Sequence, residues 1–177
     1  MNLPIQKRAL IQTERLTIRP YSKQDVVSLA ELLENQSIAE TFMVPEFETR
    51  AQALALAERL VSFSQISDTT HLEYGIYRMQ TLIGFVNDCG VEGDAIEIGY
   101  VIHPQYQGQG YATEAVRAVI AELRTMGFRT VRAGFFAENT ASRRVLEKCG
   151  MTASGLAEPE EYRGKLHTCI YYQVLFS

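Results

Sequence analysis

The stretch Ile98-Gly99-Tyr100-Val101-Ile102-His103-Pro104-Gln105-Tyr106-Gln107-Gly108-Gln109-Gly110-Tyr111-Ala112 decides the fold. Ile98 to Ile102 is a β-rich run that turns at His103-Pro104, and two glycines spaced by one residue lead straight into an amphipathic segment. That segment carries Ala112, Val116, Ile120 and Leu123 on one face and stops at Gly127, which predicts a long helix. The N–H groups of a helix's first turn have no intrahelical acceptor, and the helix dipole adds positive potential there, so the junction is an anion site. Gly108 and Gly110 lack the Cβ atoms that would hold a phosphate away from those N–H groups. A pyrophosphate is the natural guest.

The glycines alone leave the ligand open. A Walker A loop needs Gly-Lys-Ser/Thr, whereas Gly110 is followed by Tyr111-Ala112. A dinucleotide fingerprint wants Gly or Ala where Thr113 stands, and a parallel βαβ unit around it. Glu138, at the end of the next strand, keeps that reading in play, as does a pair of glycines that only shapes a turn.

Upstream, Leu72–Arg78, Leu82–Val91 and Ala95–Ile102 are β-rich and joined by Met79-Gln80 and Glu92-Gly93-Asp94, connections short enough for an antiparallel meander. Leu16–Arg19 reads as a short strand ending at Pro20. Ser22 caps a helix with Val26, Leu29, Ala30 and Leu33 on its stripe. Thr49 and Gln52 have capping-box spacing before a second helix, whose stripe is Ala53, Leu56, Leu60 and Phe63. Downstream, Thr130–Ala137 predicts a strand and Thr140–Lys148 a helix ending at Gly150. Two closing strands fall on Met151–Leu156 and Leu166–Phe176. The order β-α-α-β-β-β-α-β-α-β-β is an α/β fold with a mixed sheet and helices against it.

A length of 177 residues predicts a single domain spanning 1–177, long enough to bury a core without staples. Hydrophobic residues at 46% exclude intrinsic disorder. A net charge of −4 argues against nucleic acid as a partner. Cys89, Cys149 and Cys169 form no CxxC pair, and His71, His103 and His167 no metal spacing, so three reduced thiols and no metal are expected. MNLPIQKRALIQ has no apolar h-region, and no run approaches the roughly 20 apolar residues that span a bilayer. No membrane association and a cytoplasmic location follow as expectations; a homodimer is compatible with such a chain.

Three blocks bring a family into view. Glu97-Ile-Gly-Tyr100, Gln105-Tyr-Gln-Gly108-Gln-Gly110-Tyr-Ala-Thr-Glu-Ala115 and Glu138-Asn139-Thr-Ala-Ser142-Arg-Arg-Val-Leu-Glu-Lys-Cys-Gly150-Met resemble the GNAT superfamily of acyl-CoA-dependent N-acetyltransferases. Within it the chain most resembles the RimJ/RimL-type branch, the ribosomal-protein N-terminal acetyltransferases and relatives, and the opening Glu14-Arg-Leu-Thr-Ile-Arg-Pro20 is also typical. The resemblance covers about residues 12–176 and implies acetyl transfer from acetyl-CoA, as co-substrate, to a primary amine by direct attack in a ternary complex. A protein N-terminus is the favoured acceptor, ahead of lysine or a small amine. It places the pantetheine on the edge of Tyr100, Val101 and Ile102, and the pyrophosphate on N–H groups of Gln105, Gln107, Gly108, Gln109, Gly110, Tyr111 and Ala112. Asn139 and Ser142 would face the pantetheine and the sulfur.

For acid–base chemistry the resemblance offers Glu97 and Glu161 as bases and Ser142 as donor to the leaving thiolate, because Leu146 stands where many relatives carry Tyr. A second departure is Thr168, where relatives often have Asp. Neutralising a lysine amine at pH 7 costs about 4.6 kcal/mol and an α-amine only about 1, so a base matters more for lysine. Tyr171 and Tyr172 read as sheet-packing aromatics and Cys149 as core. Glu158, Glu160 and Glu161 read as loop carboxylates that attract a cation, and Arg143 and Arg144 as a phosphate contact or a solvated face. Two alternatives stand beside this reading: a non-enzymatic acyl-CoA-binding module on the same fold, and a dinucleotide-binding module.

Overall fold

The computed structural model of the chain describes residues 1–7, 10–67 and 69–177. Eight strands form one sheet in the order β1-β2-β3-β4-β5-β6-β8-β7. They are β1 (Ile11–Gln12), β2 (Thr17–Arg19), β3 (Glu73–Arg78), β4 (Thr81–Glu92), β5 (Ala95–Ile102), β6 (Thr130–Phe136), β7 (Thr152–Tyr162) and β8 (Lys165–Leu175). Every neighbouring pair is antiparallel except β5 with β6. The helices are α1 (Val26–Glu34), α2 (Gln36–Ala39), α3 (Arg50–Ser64), α4 (Tyr111–Thr125) and α5 (Thr140–Lys148).

Strand alternation gives the sheet two apolar faces. Ile96, Ile98, Val131, Ala133 and Phe135 pack with Val116, Val119, Leu123 and Leu146 of α4 and α5. Phe85 and Val101 point the other way and pack with Leu29, Leu33, Ala53 and Ala57 of α1 and α3. The mixed α/β sheet with helices on it is the architecture expected from the element order, with β1 and the one-turn α2 added. Asn35 caps α2, its side chain accepting from Ile38 N–H at 3.2 Å.

Three local expectations are corrected. The buried stripe of α3 is Ala53, Ala57, Val61 and Ser64, while Phe63 is 46% exposed. The small side chains lie against α1, and the larger Leu56 and Leu60 flank the contact half-buried. Thr49 makes no side-chain cap; Gln52 Oε1 instead accepts from Glu48 N–H at 2.7 Å. The third correction bears on the site. β7 does not end at Leu156 but bulges at Ser154–Leu156 and resumes pairing from Ala157↔Ile170 to Tyr162↔Lys165. Ser154 Oγ fixes the bulge, accepting from Leu156 N–H at 3.2 Å and donating to the Tyr171 carbonyl at 2.9 Å. Pro159 is tolerated because β7 is an edge strand with only β8 beside it. Glu158, Glu160 and Glu161 are therefore strand residues, not loop residues.

Candidate active site

β5 pairs with β4 along its whole length but with β6 only at Ala95↔Thr130, Ile96↔Val131 and Glu97↔Arg132. β6 meanwhile continues along β8 as far as Phe136↔Cys169. The two strands therefore part after Glu97, and the backbone groups of Ile98–Ile102 on that side have no strand opposite. A cavity of about 740 Å³ opens at this wedge and reaches both faces of the sheet. Gly99 lies on its wall, where an added Cβ would come within 2.7 Å of Phe42 Cε2.

On the α4/α5 side the cavity is lined by Tyr100, Gln107, Gly108, Gly110, Tyr111, Ala112, Asn139 and Ser142. Gly108 and Gly110 have φ of 73° and 82°, the left-handed conformation that glycine adopts without penalty. The helix's first hydrogen bond runs from Glu114 N–H to the Gly110 carbonyl at 3.0 Å, so the N–H groups of Tyr111, Ala112 and Thr113 precede any intrahelical acceptor. An added Cβ on Gly108 would meet nothing within 4 Å, so the space over this cradle is open to a ligand. The cradle is shorter than the sequence implies. Gln105 N–H donates to His103 Nδ1 at 3.2 Å and Gln107 N–H to the Pro104 carbonyl at 3.3 Å, so both are spent within the turn. Gln105 and Gln109 lie outside the lining.

Arg15 braces this cradle, a role the sequence alone did not reveal. Its Nη1 donates to the Gln109 carbonyl at 2.9 Å, its Nε meets Glu114 Oε2 at 2.7 Å, and its guanidinium lies 4.5 Å from the centre of the Tyr111 ring. Desolvation is the largest single influence on the Glu114 carboxyl and raises it, but hydrogen bonds from Thr13, Arg15 N–H and the Arg15 side chain, with the Arg15 charge, together outweigh it and hold the group below its ordinary range. Asn139 caps α5 by accepting from Ser142 N–H at 3.1 Å. Ser142 Oγ lies 2.7 Å from the Tyr100 hydroxyl.

On the opposite side the lining is Phe42, Met43, Glu97, Phe136, Glu160, Cys169 and Tyr171. Burial pushes the Glu97 carboxyl up, Arg132 opposes the shift and Glu158 adds to it. Glu160, not Glu161, belongs to this wall: Glu161 is the next residue of the strand, so its side chain falls on the other face, exposed. Tyr171 also departs from its expected packing role; it lines the cavity, and its hydroxyl donates to Glu158 Oε2 at 3.4 Å. Tyr172 does pack, edge-on to Phe135 at 5.2 Å. The Tyr162 hydroxyl donates to the Ala39 carbonyl at 2.8 Å and accepts from Val44 N–H at 3.3 Å, which pins the segment carrying Phe42 over the wedge.

The remaining residues fall into place. Val101 and Ile102 line the open edge, and Arg144 the cavity, while Arg143 does not. Leu146 is fully buried in the core, so α5 sends no side chain from that position to the wedge. Burial pushes the Cys149 thiol up to about 11, and it donates to the Thr113 carbonyl at 3.5 Å, a packing thiol rather than a nucleophile. Glu138 is bound by His167 at 2.6 Å and faces Lys165 at 3.9 Å, so it is engaged by β8 rather than held ready for a ribose. β5, α4 and β6 do form a parallel βαβ unit, but its strands pair over only three positions before they part, and the engagement of Glu138 removes the residue that kept the dinucleotide reading in play. Among the described residues, no three His, Cys, Asp or Glu are grouped to hold a metal, and no helix is long and apolar enough to cross a membrane.

A sheet split beside a glycine cradle, with carboxylates across the split, defines the class of acyl-group transferases. Residues 15–152 match the acetyltransferase (GNAT) domain family, and the chain belongs to that family. It is 25% identical over 159 residues to the uncharacterized N-acetyltransferase YoaA of Bacillus subtilis, 87% of this chain and 89% of that protein. The structure of RimL, ribosomal L7/L12 alpha-N-protein acetyltransferase, in complex with coenzyme A superimposes with a TM-score of 0.82 at 19% identity, over 94% of this chain and 97% of that one. Spermidine N-acetyltransferase from Vibrio cholerae, in complex with CoA and spermine, gives 0.78 at 20% identity over 92% and 96%. The fold is shared across enzymes whose acceptors differ.

Proposed function

We propose that the protein transfers the acetyl group of acetyl-CoA to a primary amine by direct attack in a ternary complex, with a protein N-terminus as the favoured acceptor. The observation that carries this reading is the wedge between β5 and β6, which joins a glycine-framed N–H cradle on one side of the sheet to a carboxylate-lined chamber on the other. Acetyl-CoA lies with its phosphates on the N–H groups of 108–113 and its pantetheine along the free edge of Tyr100–Ile102. The thioester thus reaches the wedge from the α4/α5 side. The amine enters from the side of Phe42, Phe136 and Tyr171.

Glu97 acts as base, directly or through water, and its elevated carboxyl suits a group that must accept a proton near neutral pH. Glu160 adds negative charge that attracts a cationic amine; Glu161, on the outer face, has no part in this. The free backbone N–H groups of β5 stabilise the developing oxyanion. The RimL and spermidine enzymes, by their names, bracket the acceptor classes to test: a ribosomal-protein N-terminus and a polyamine.

Thiol release from acetyl-CoA is the assay, with three acceptors: a peptide beginning with serine, an Nα-blocked peptide with one lysine, and spermine. Turnover highest with the free serine N-terminus is the expected result. Turnover only with spermine reassigns the acceptor, and CoA binding without turnover on any of the three supports the non-enzymatic module.

A further inference from the structure

The leaving thiolate needs a hydrogen-bond donor, and α5 presents none from position 146, because Leu146 is buried in the core. The donor at the wedge is Ser142, and its geometry is set from outside its own helix. The Tyr100 hydroxyl lies 2.7 Å from Ser142 Oγ and 3.3 Å from the Ser142 carbonyl, so the short contact is side chain to side chain. Both residues line the cavity beside the open edge of β5.

A hydroxyl has one hydrogen to give and two lone pairs to receive with. If Ser142 spent its hydrogen on Tyr100, nothing would remain for sulfur. The Ser142 carbonyl belongs to the first turn of α5, where the helix's own N–H groups use it, so the phenol's better acceptor is Ser142 Oγ. Donation from tyrosine to serine frees the serine hydrogen and strengthens it as a donor, since chained hydrogen bonds polarise one another. Burial also keeps the phenol protonated well above its ordinary range, so it remains a donor throughout neutral pH.

We propose that Tyr100 is a positioning residue: by donating its hydroxyl to Ser142 Oγ, it turns the Ser142 hydrogen into the wedge, toward the departing sulfur of the thioester. This rests on the acetyltransferase reading of the site. In the step, the amine nitrogen bonds to the carbonyl carbon, the carbon–sulfur bond breaks, and its electron pair goes to sulfur. The amine gives one proton to the base. Sulfur leaves as a thiolate held by the Ser142 hydrogen bond and takes its proton from solvent as product departs, while the base returns its proton to solvent and both hydroxyls keep theirs, the phenol being held protonated by burial.

The test uses bound CoA and needs no acceptor. The ultraviolet absorbance of the CoA thiolate is followed against pH in complexes of the wild type, Tyr100→Phe, Ser142→Ala and the double variant. The spectrum of the matching desulfo-CoA complex is subtracted so that protein tyrosines cancel. Arg144 and Lys148, which line the same side, are unchanged in all four proteins. The thiol in the wild type should ionise with a constant about tenfold larger than in Tyr100→Phe. The Ser142→Ala and double variants should match each other, because tyrosine acts only through serine. Calorimetric CoA affinity of Tyr100→Phe should stay within about twofold of wild type, as the ring and its packing remain.

A thiol that ionises identically in wild type and Tyr100→Phe overturns the inference. So does a double variant shifted beyond Ser142→Ala, or a Tyr100→Phe protein that no longer binds CoA. Wild-type protein that binds no CoA overturns the acetyltransferase reading itself, a result separate from CoA bound with an unmoved thiol.

Discussion

Replacing Arg15 by Ala strips the cradle of its counter-charge without touching a residue of its lining. In the wild type the Arg15 guanidinium neutralises Glu114, a first-turn carboxylate only 16% exposed, whereas Arg15 itself is 42% exposed. The stability cost of losing so exposed a pair is less than about 1 kcal/mol. The cost to anion binding is larger. An uncompensated carboxylate about 8 Å from the bound phosphates, at an effective dielectric constant of about 40, opposes each phosphate charge by about 1 kcal/mol. For a pyrophosphate with about two charges this is about 2 kcal/mol, or about thirtyfold in Kd. Calorimetric titration with CoA should therefore show Arg15→Ala binding about thirtyfold more weakly at low salt, the deficit shrinking as ionic strength rises. Adding Glu114→Gln removes the stranded charge and should restore most of the loss. Unchanged affinity in Arg15→Ala, or a double variant no better than the single, would refute the electrostatic reasoning.

Other perturbations separate chemistry from support. Glu97→Gln should lower kcat by about 100-fold with CoA affinity intact. Wild-type kcat/KM should rise with pH through the elevated Glu97 ionisation, since the base works as the carboxylate. Glu160→Gln should raise the KM for a cationic amine, while Glu161→Gln should not, a contrast read from amine saturation curves. Tyr162→Phe leaves the Ala39 carbonyl and Val44 N–H without their hydroxyl partner and should cost about 1–2 kcal/mol in denaturant unfolding, with a raised acceptor KM as the Phe42 segment loosens. Glu73 is 8% exposed, and burial, with Asp88 adding and Lys7 opposing, pushes its carboxyl up to about 8. Its neutral form is the one the fold accommodates, so this stabilisation is complete below the unfolded value near 4.5 and is lost as pH rises through about 8. Full ionisation would cost about 5 kcal/mol, and Glu73→Gln should flatten the fall in Tm between pH 5 and pH 9, on the order of that range.

The parts of the fold written in local pattern were legible. Glycine spacing located the turn into α4, and the two- and three-residue connections gave the antiparallel meander. The helix was read from Thr140, where α5 begins, although the capping role of Asn139 was not. What was hidden depends on contacts distant in sequence. Arg15 reaches Glu114 and Gln109 across 99 and 94 residues, and no local pattern distinguishes it from a surface arginine. Phe42 enters the wedge because Tyr162 holds its segment from 120 residues away. The strand expected to stop at Leu156 runs on to Tyr162, because a bulge at Ser154–Leu156 and an edge position for Pro159 let the pairing resume. That bulge sets the parity of everything after it, which is why Glu160 and Glu161 could not be told apart before the register was known. In α3, alanines and leucines are both apolar, and hydropathy alone could not show that the close contact with α1 selects the smaller ones.

Whether the glycine turn and the free edge of β5 hold CoA is read from calorimetric titration of the protein with acetyl-CoA, NAD and ATP, alongside a Gly110→Trp variant. Acetyl-CoA should bind in preference to the two nucleotides, and that binding should be abolished when the indole fills the cradle in a variant that still unfolds cooperatively. No heat with acetyl-CoA from folded wild-type protein, or tighter binding of NAD or ATP, would contradict it.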